Sequence, residues 1–257
     1  MHPWAIFVEG LKNWRVNWRK LTGIYLLIYI PLTLLDLLWV SKGDKSDLVQ
    51  LASSLIHWAL DSFVMASLIL SVQEQLNTII RKATDTMKAA IKYLWRYMLT
   101  VLLYGIIVVG IIMLVVVIMS FMFAAFISMP SINIAILLVA VIAIIACVVA
   151  VVYCVIRFSL AGVICVMEEV GPIRSFKTSH SLIKKSIKPV VEVFLLILLT
   201  SALLFFPGFR FSLSAGSKTA LGTILLVFYQ VLVGAVTVPI LASVTVVLYK
   251  KLKGTVN

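Results

Sequence analysis

The feature that most restricts this chain is a series of apolar runs at about 21 to 40, 51 to 72, 97 to 127, 132 to 167, 189 to 207 and 219 to 249. Each is long enough to cross the hydrocarbon of a bilayer, which takes about 20 helical residues with few or no charges. Lipid offers no partner to backbone N–H and C=O groups, so such runs must be helices that satisfy their own backbone. Water is a poor solvent for them: 63% of the residues are hydrophobic and 12% charged, whereas about a quarter of a soluble domain is charged. No polar stretch is long enough to fold outside the bilayer. The expectation is therefore one all-α membrane domain over 1–257, a polytopic bundle of six transmembrane helices. The third, fourth and sixth runs exceed one crossing and must tilt, kink or extend. Pro31 and Pro239 are the expected kink points, since each removes a helical hydrogen bond.

Charge orients the bundle. Lys12, Arg15, Arg19 and Lys20 precede the first run, and Arg81, Lys82, Lys88, Lys92 and Arg96 lie between the second and third. Arg157, Arg174, Lys177, Lys184, Lys185 and Lys188 lie around the fourth connection, and Lys250, Lys251 and Lys253 in the tail. Of the 22 Lys and Arg residues, only Lys42, Lys45, Arg210 and Lys218 remain for the other face. The positive-inside rule then places both termini in the cytoplasm of a cell-membrane protein. The net charge of +12 sits in short joints between apolar runs, which suits anionic lipid headgroups as partners and not nucleic acid. Met1 to Lys20 mixes apolar and charged residues, so no cleavable signal is expected and the first span serves for insertion.

Three of the basic joints carry apolar residues at helical steps of three or four. They are Trp4, Phe7, Val8, Leu11, Trp14, Trp18 and Leu21; then Leu76, Ile79, Ile80, Ala83, Met87, Ala90, Ile91 and Leu94; then Ile173, Phe176, His180, Ile183 and Ile187. A stripe of this kind opposite Lys and Arg predicts a helix lying in the membrane interface. Three cytoplasmic-side amphipathic helices, each followed by two spans, make three pseudo-repeats of about 1–73, 74–167 and 168–257. An offset of 95 lays Phe63 to Ile69 on Phe158 to Ile164 and Glu74 on Glu169.

Ionisable groups inside lipid are costly and mark candidate sites. Asp61 lies midway along the second run with His57 one turn before it, and Arg157 lies in the fourth. The repeat offset sets Arg157 beside Ser62, so the expectation is an intramembrane polar cluster of His57, Asp61 and Arg157 with an Asp61–Arg157 ion pair. Its role is either a polar path for protons or a buried pair that fixes helix register. Glu192, four residues after Lys188, is expected to pair with it at the interface, and Asp36 to lie near the outer end of its span. Cys147, Cys154 and Cys165 lack metal or redox spacing and read as small core residues. Ala140, Ala143, Ala146, Ala150, Gly105 and Gly110 read as packing positions between helices. No cofactor is expected: there is no Gly-rich phosphate loop, no HExxH and no GxSxG, and His2, His57 and His180 offer no metal spacing.

From Arg157 to Leu196 the chain reads RFSLAGVICVMEEVGPIRSFKTSHSLIKKSIKPVVEVFLL. Pro172 suits a first helical turn, where its missing N–H costs nothing, and Gly171 suits the turn from spanning to interfacial direction. The segment resembles one in a group of prokaryotic six-helix membrane proteins that includes the membrane domain fused to some glycerophosphodiester phosphodiesterases. There an aromatic-rich span ends in a Glu, and a Gly-Pro opens an interfacial helix carrying a Ser, a Leu and basic residues. The matching positions here are Glu169, Gly171, Pro172, Lys177, Ser179, Leu182 and Lys184. The group's usual Gly near the end of this helix is replaced by Lys185 or Ser186, and no phosphodiesterase domain accompanies the segment. The resemblance implies a fold and no substrate.

The function expected on these grounds is non-catalytic: a lipid-associating or transporter-like bundle whose basic collar meets the inner leaflet. The alternatives are a membrane subunit of an export or immunity system, with a membrane or ATPase partner protein, and a membrane enzyme acting on lipid phosphates.

Overall fold

The structure, a computed structural model, describes residues 2–40, 47–128, 134–213 and 220–255. It is helical throughout, with no strand among the described residues. The elements are α1 (Pro3–Val40), α2 (Asp47–Leu76), α3 (Ala83–Ser128), α4 (Ile134–Phe158), α5 (Ala161–Met167), α6 (Pro172–Lys185), α7 (Ile187–Leu213) and α8 (Ala220–Gly254).

Five stretches are long and apolar enough to cross a membrane: Gln50–Leu76, Ala83–Phe121, Val148–Met167, Ile187–Pro207 and Ile224–Gly254. They are compatible with a membrane-embedded protein. The first expected span, 21 to 40, is not among them, because the side chains of its apolar part are described only from Leu21 to Leu35, short of the roughly 20 residues a crossing takes. The side chains of Asp36, Ala140, Ala143 and Cys147, together with Lys42, Lys45, Arg210 and Lys218, likewise lie outside the described residues.

The core lies at the basic end of the bundle. Leu21, Ile24, Leu68, Ile69, Leu160, Ile164, Ile183, Leu248 and Leu252 are fully buried there, whereas Ile106, Val109, Ile112, Met113, Leu114, Val116 and Val117 stand exposed along the middle of α3. An exposed apolar surface of that extent needs an apolar surround. The most extensive packing is α1 on α8, followed by α2 on α3. Small residues permit the first: a Cβ added to Gly10 would lie 2.7 Å from Val244 Cα, and one added to Gly234 would collide with the Tyr25 hydroxyl.

Two expectations about boundaries are corrected. Interfacial and spanning segments are not separate helices in every unit. α1 carries only a kink at Asn17 (φ −116°, ψ 19°), and α3 runs without a break from Ala83, because nothing between the basic joint and the apolar run lowers helix propensity enough to stop it. Only α6 is separate, ending at Ser186 (φ −145°). Ile79 and Ile80, assigned above to an interfacial stripe, lie instead in the connection before α3 and are exposed. Second, the fourth run is not one helix. It breaks after Phe158, where Ser159 Oγ donates to Ile156 O at 2.7 Å in competition with the helical ladder.

Candidate functional site

The break between α4 and α5 opens one side of a cavity of about 330 Å³. Met65 and Ile69 of α2, Tyr97, Thr100, Val101 and Tyr104 of α3, and Leu241, Ala242 and Thr245 of α8 supply other walls. Phe158, Ser159 and Gly162 supply the wall at the break, and Phe194 of α7 closes the ring. Among the described residues, no Asp, Glu, Lys or Arg lines it. Three of its five hydroxyls are engaged by the backbone: Thr100 donates to Arg96 O at 2.8 Å, Ser159 to Ile156 O, and Thr245 to Leu241 O at 2.5 Å. Apart from the hydroxyls of Tyr97 and Tyr104, the cavity presents mostly hydrocarbon. A Cβ on Gly162 would meet the Tyr97 ring at 2.9 Å, so this glycine lets α5 seat closely against α3.

The expected intramembrane cluster is divided. Asp61 is exposed on α2 and accepts a hydrogen bond from the Tyr29 hydroxyl of α1, whose ring stacks on Tyr25 at 4.2 Å. His57 lies half-buried one turn earlier on the same helix. Arg157 is 8% exposed and turns to α6: its Nη1 lies 3.1 Å from His180 Nε2 and 3.2 Å from Nδ1, and donates to His180 O at 3.4 Å. The expected Asp61–Arg157 pair is not among the ion pairs of the described residues. The two side chains have different neighbours: α2 packs on α3, α8, α1 and α5, where Asp61 meets Tyr29 of α1, while α4 packs on α3, α6 and α7, where Arg157 meets His180 of α6. Lys188–Glu192 is absent from the same pairs.

The motif residues do come together, at the end of α5 and along α6. Pro172 opens α6, as its fixed φ favours. Gly171 precedes it as N-cap with φ −71°, so the sharp turn expected of it is not taken there. It is taken by Glu169, whose φ is 55°. Ser179 is buried and donates to Arg157 O at 2.8 Å, tying α6 to the last turn of α4. Leu182 is buried and Lys184 exposed, which fits a helix with one face against the bundle.

Ion pairs at this basic end were not anticipated as a set, although each carboxylate stands within or next to a basic joint in the sequence. Glu74, its side chain 3% exposed, accepts from Lys20 Nζ (3.1 Å), Arg81 Nη1 (3.1 Å) and Thr86 Oγ1 (2.7 Å). Glu169 accepts from Lys92 Nζ at 3.0 Å and Tyr93 Oη at 2.6 Å, and Arg96 Nη1 donates to its carbonyl at 2.6 Å. Glu168 accepts from Lys253 Nζ at 2.7 Å and Tyr249 Oη at 2.5 Å. Lys251 pairs with Glu9 at 3.1 Å. The collar thus binds α1, α2, α3 and α8 to the segment between α5 and α6. Burial pushes the Glu168 carboxyl up, but the hydrogen bonds from Lys253 and Tyr249 and the charges of Lys253 and Arg174 outweigh it and hold the group below the usual carboxylate range. Hydrogen bonds from Tyr93 and Lys92 hold Glu169 low as well.

Comparison with protein-family models, with curated proteins and with solved structures finds no match to this chain.

Proposed function

We propose that this chain is a non-catalytic, multi-pass protein of the cell membrane that associates with lipid, taking an acyl chain into the cavity at the α4–α5 break. The observation that carries this reading is the lining: a space of about 330 Å³, at the lower end of the 300–1,000 Å³ typical of ligand sites, walled mostly by apolar and aromatic side chains, none of them charged among the described residues. A path for ions or polar solutes would need polar groups along it, and neither Asp61 nor Arg157 is in the wall. In the same reading α1 crosses from Leu21 onward as a sixth span, the three units are pseudo-repeats of the six-helix group named above, and the basic collar lies with both termini at the cytoplasmic leaflet. Support for that orientation comes from the crowding of Lys and Arg at one end, where anionic headgroups attract them.

The test is purification in a mild neutral detergent followed by native mass spectrometry. The wild-type chain is expected to carry lipid enriched over the composition of the source membrane, and Val101→Trp, which places an indole in the cavity, to lose it. Lipid in bulk proportion on both forms would refute the reading. A stoichiometric protein companion without enriched lipid would favour the membrane-subunit alternative instead.

A further inference from the structure

Among the described residues, Arg157 is a buried cation without a buried anion. Only 8% of it is exposed, and none of the ion pairs among the described residues includes it. Its Nε is buried and has no hydrogen-bond partner. A guanidinium does not escape this by losing its proton, as a buried Lys does. What surrounds it is aromatic: the Tyr153 ring, with Cζ 4.6 Å from its centroid, and the imidazole of His180. These soften the burial without neutralising it. The carboxylates at the neighbouring turn are committed elsewhere, Glu168 to Lys253 and Tyr249 and Glu169 to Lys92 and Tyr93.

The surface beside it is cationic. Lys177, His180 and Lys184 follow at steps of three and four on α6, so they share one face. All three are exposed, and α6 contains no acidic residue. This face is joined to the cavity through one side chain. Phe158 lines the cavity, stands edge-on to Phe176 at 5.1 Å, and has its centroid 6.4 Å from that of His180.

We propose that Arg157, with His180, Lys177 and Lys184, binds the phosphate of a phosphate ester. A guanidinium fork matches two phosphate oxygens, and the incoming charge supplies the counter-ion that the described residues do not. Lipid headgroup phosphate and free phosphate share this chemistry. The lipid source rests on the reading above, with the phosphate at Arg157 and an acyl chain passing Phe158 into the cavity.

The full chain in neutral detergent is titrated with dioctanoyl phosphatidylglycerol and, separately, with inorganic phosphate, following binding by calorimetry. Arg157→Met, which keeps an apolar stem of similar length, is expected to weaken lipid binding at least tenfold, and Arg157→Lys to give an intermediate value because it keeps charge and loses the fork. Lipid binding without phosphate binding identifies the headgroup as the source. Phosphate binding alone, lost in Arg157→Met, upholds the site and removes the lipid reading. Lipid binding unchanged in Arg157→Met overturns the site and leaves the lipid reading standing, while no binding of either probe overturns both. Should Arg157→Met lose helical content, Lys177→Gln/Lys184→Gln carries the test: a loss of threefold or more is expected, and unchanged affinity overturns the proposal.

Discussion

Glu74→Ala removes the carboxylate on which Lys20, Arg81 and Thr86 converge. Taking one member from a buried ion pair costs about 3–5 kcal/mol, because the other is left as an uncompensated charge. The three partners do not lose equally. Arg81, its side chain 49% exposed, finds water, and Thr86 keeps a second acceptor in Lys82 O at 3.3 Å. The loss falls on Lys20, whose side chain is 15% exposed. The lower end of the range applies, about 3 kcal/mol, which is roughly a hundredfold in the unfolding equilibrium. Reversible unfolding in mixed micelles, driven by a denaturing detergent and followed by helical circular dichroism, measures it. Lys20→Met/Glu74→Leu, which replaces charges by apolar groups, is expected to recover to within about 1 kcal/mol of wild type. A single variant within about 0.5 kcal/mol of wild type, or a double variant no better than the single, would refute the argument that Glu74 acts by neutralising Lys20.

Gly10→Ala is expected to lower stability in the same assay by about 1–3 kcal/mol, as overpacking does, since the added methyl meets the Val244 backbone at 2.7 Å; an effect under about 0.5 kcal/mol would show that α1 and α8 part freely. Asp61→Asn is expected to stay within about 1 kcal/mol of wild type, because Asp61 has no ion pair among the described residues and the amide oxygen still accepts from Tyr29; a larger loss would reveal a cationic partner for Asp61. Glu168 and Glu169 both have carboxyls held below the usual range in the folded chain. Their contribution is therefore present at neutral pH, starts to fade as pH falls through the ordinary carboxylate value of about 4.3, and is gone below the folded values. Unfolding midpoints from pH 7 to pH 3 should fall less steeply for Glu168→Gln/Glu169→Gln than for wild type, and parallel curves would contradict this.

How much of this was legible depended on the range of the interaction. Apolar length is local, and it announced five stretches that the structure makes long and helical; Pro172 announced the start of α6 in the same way. The break at Ser159 was hidden because its neighbours Phe158, Leu160 and Ala161 are ordinary residues of an apolar helix, and the competing hydrogen bond to Ile156 O becomes visible only with the backbone in place. Asp61 and Arg157 were matched by charge and an assumed internal offset, with no information on which helix each one faces. Asp61 meets α1, and Arg157 meets α6. The clasp on Glu74 left a detectable sign, an acidic residue closing an apolar run between Lys20 and Arg81, but its depth of burial depends on three separate helices.

The 46 residues of α3 form a rod of about 69 Å at 1.5 Å per residue, with no joint between its basic end and its apolar length. Lys92, Tyr93 and Arg96 grip Glu169 near one end of this rod, and Tyr97, Thr100, Val101 and Tyr104, within the next two to three turns, form a cavity wall. A displacement of the grip, by a headgroup competing for Lys92 or by acid neutralising Glu169, would carry that wall with it as one rigid piece. No break in the helix lies between grip and wall to take up the motion.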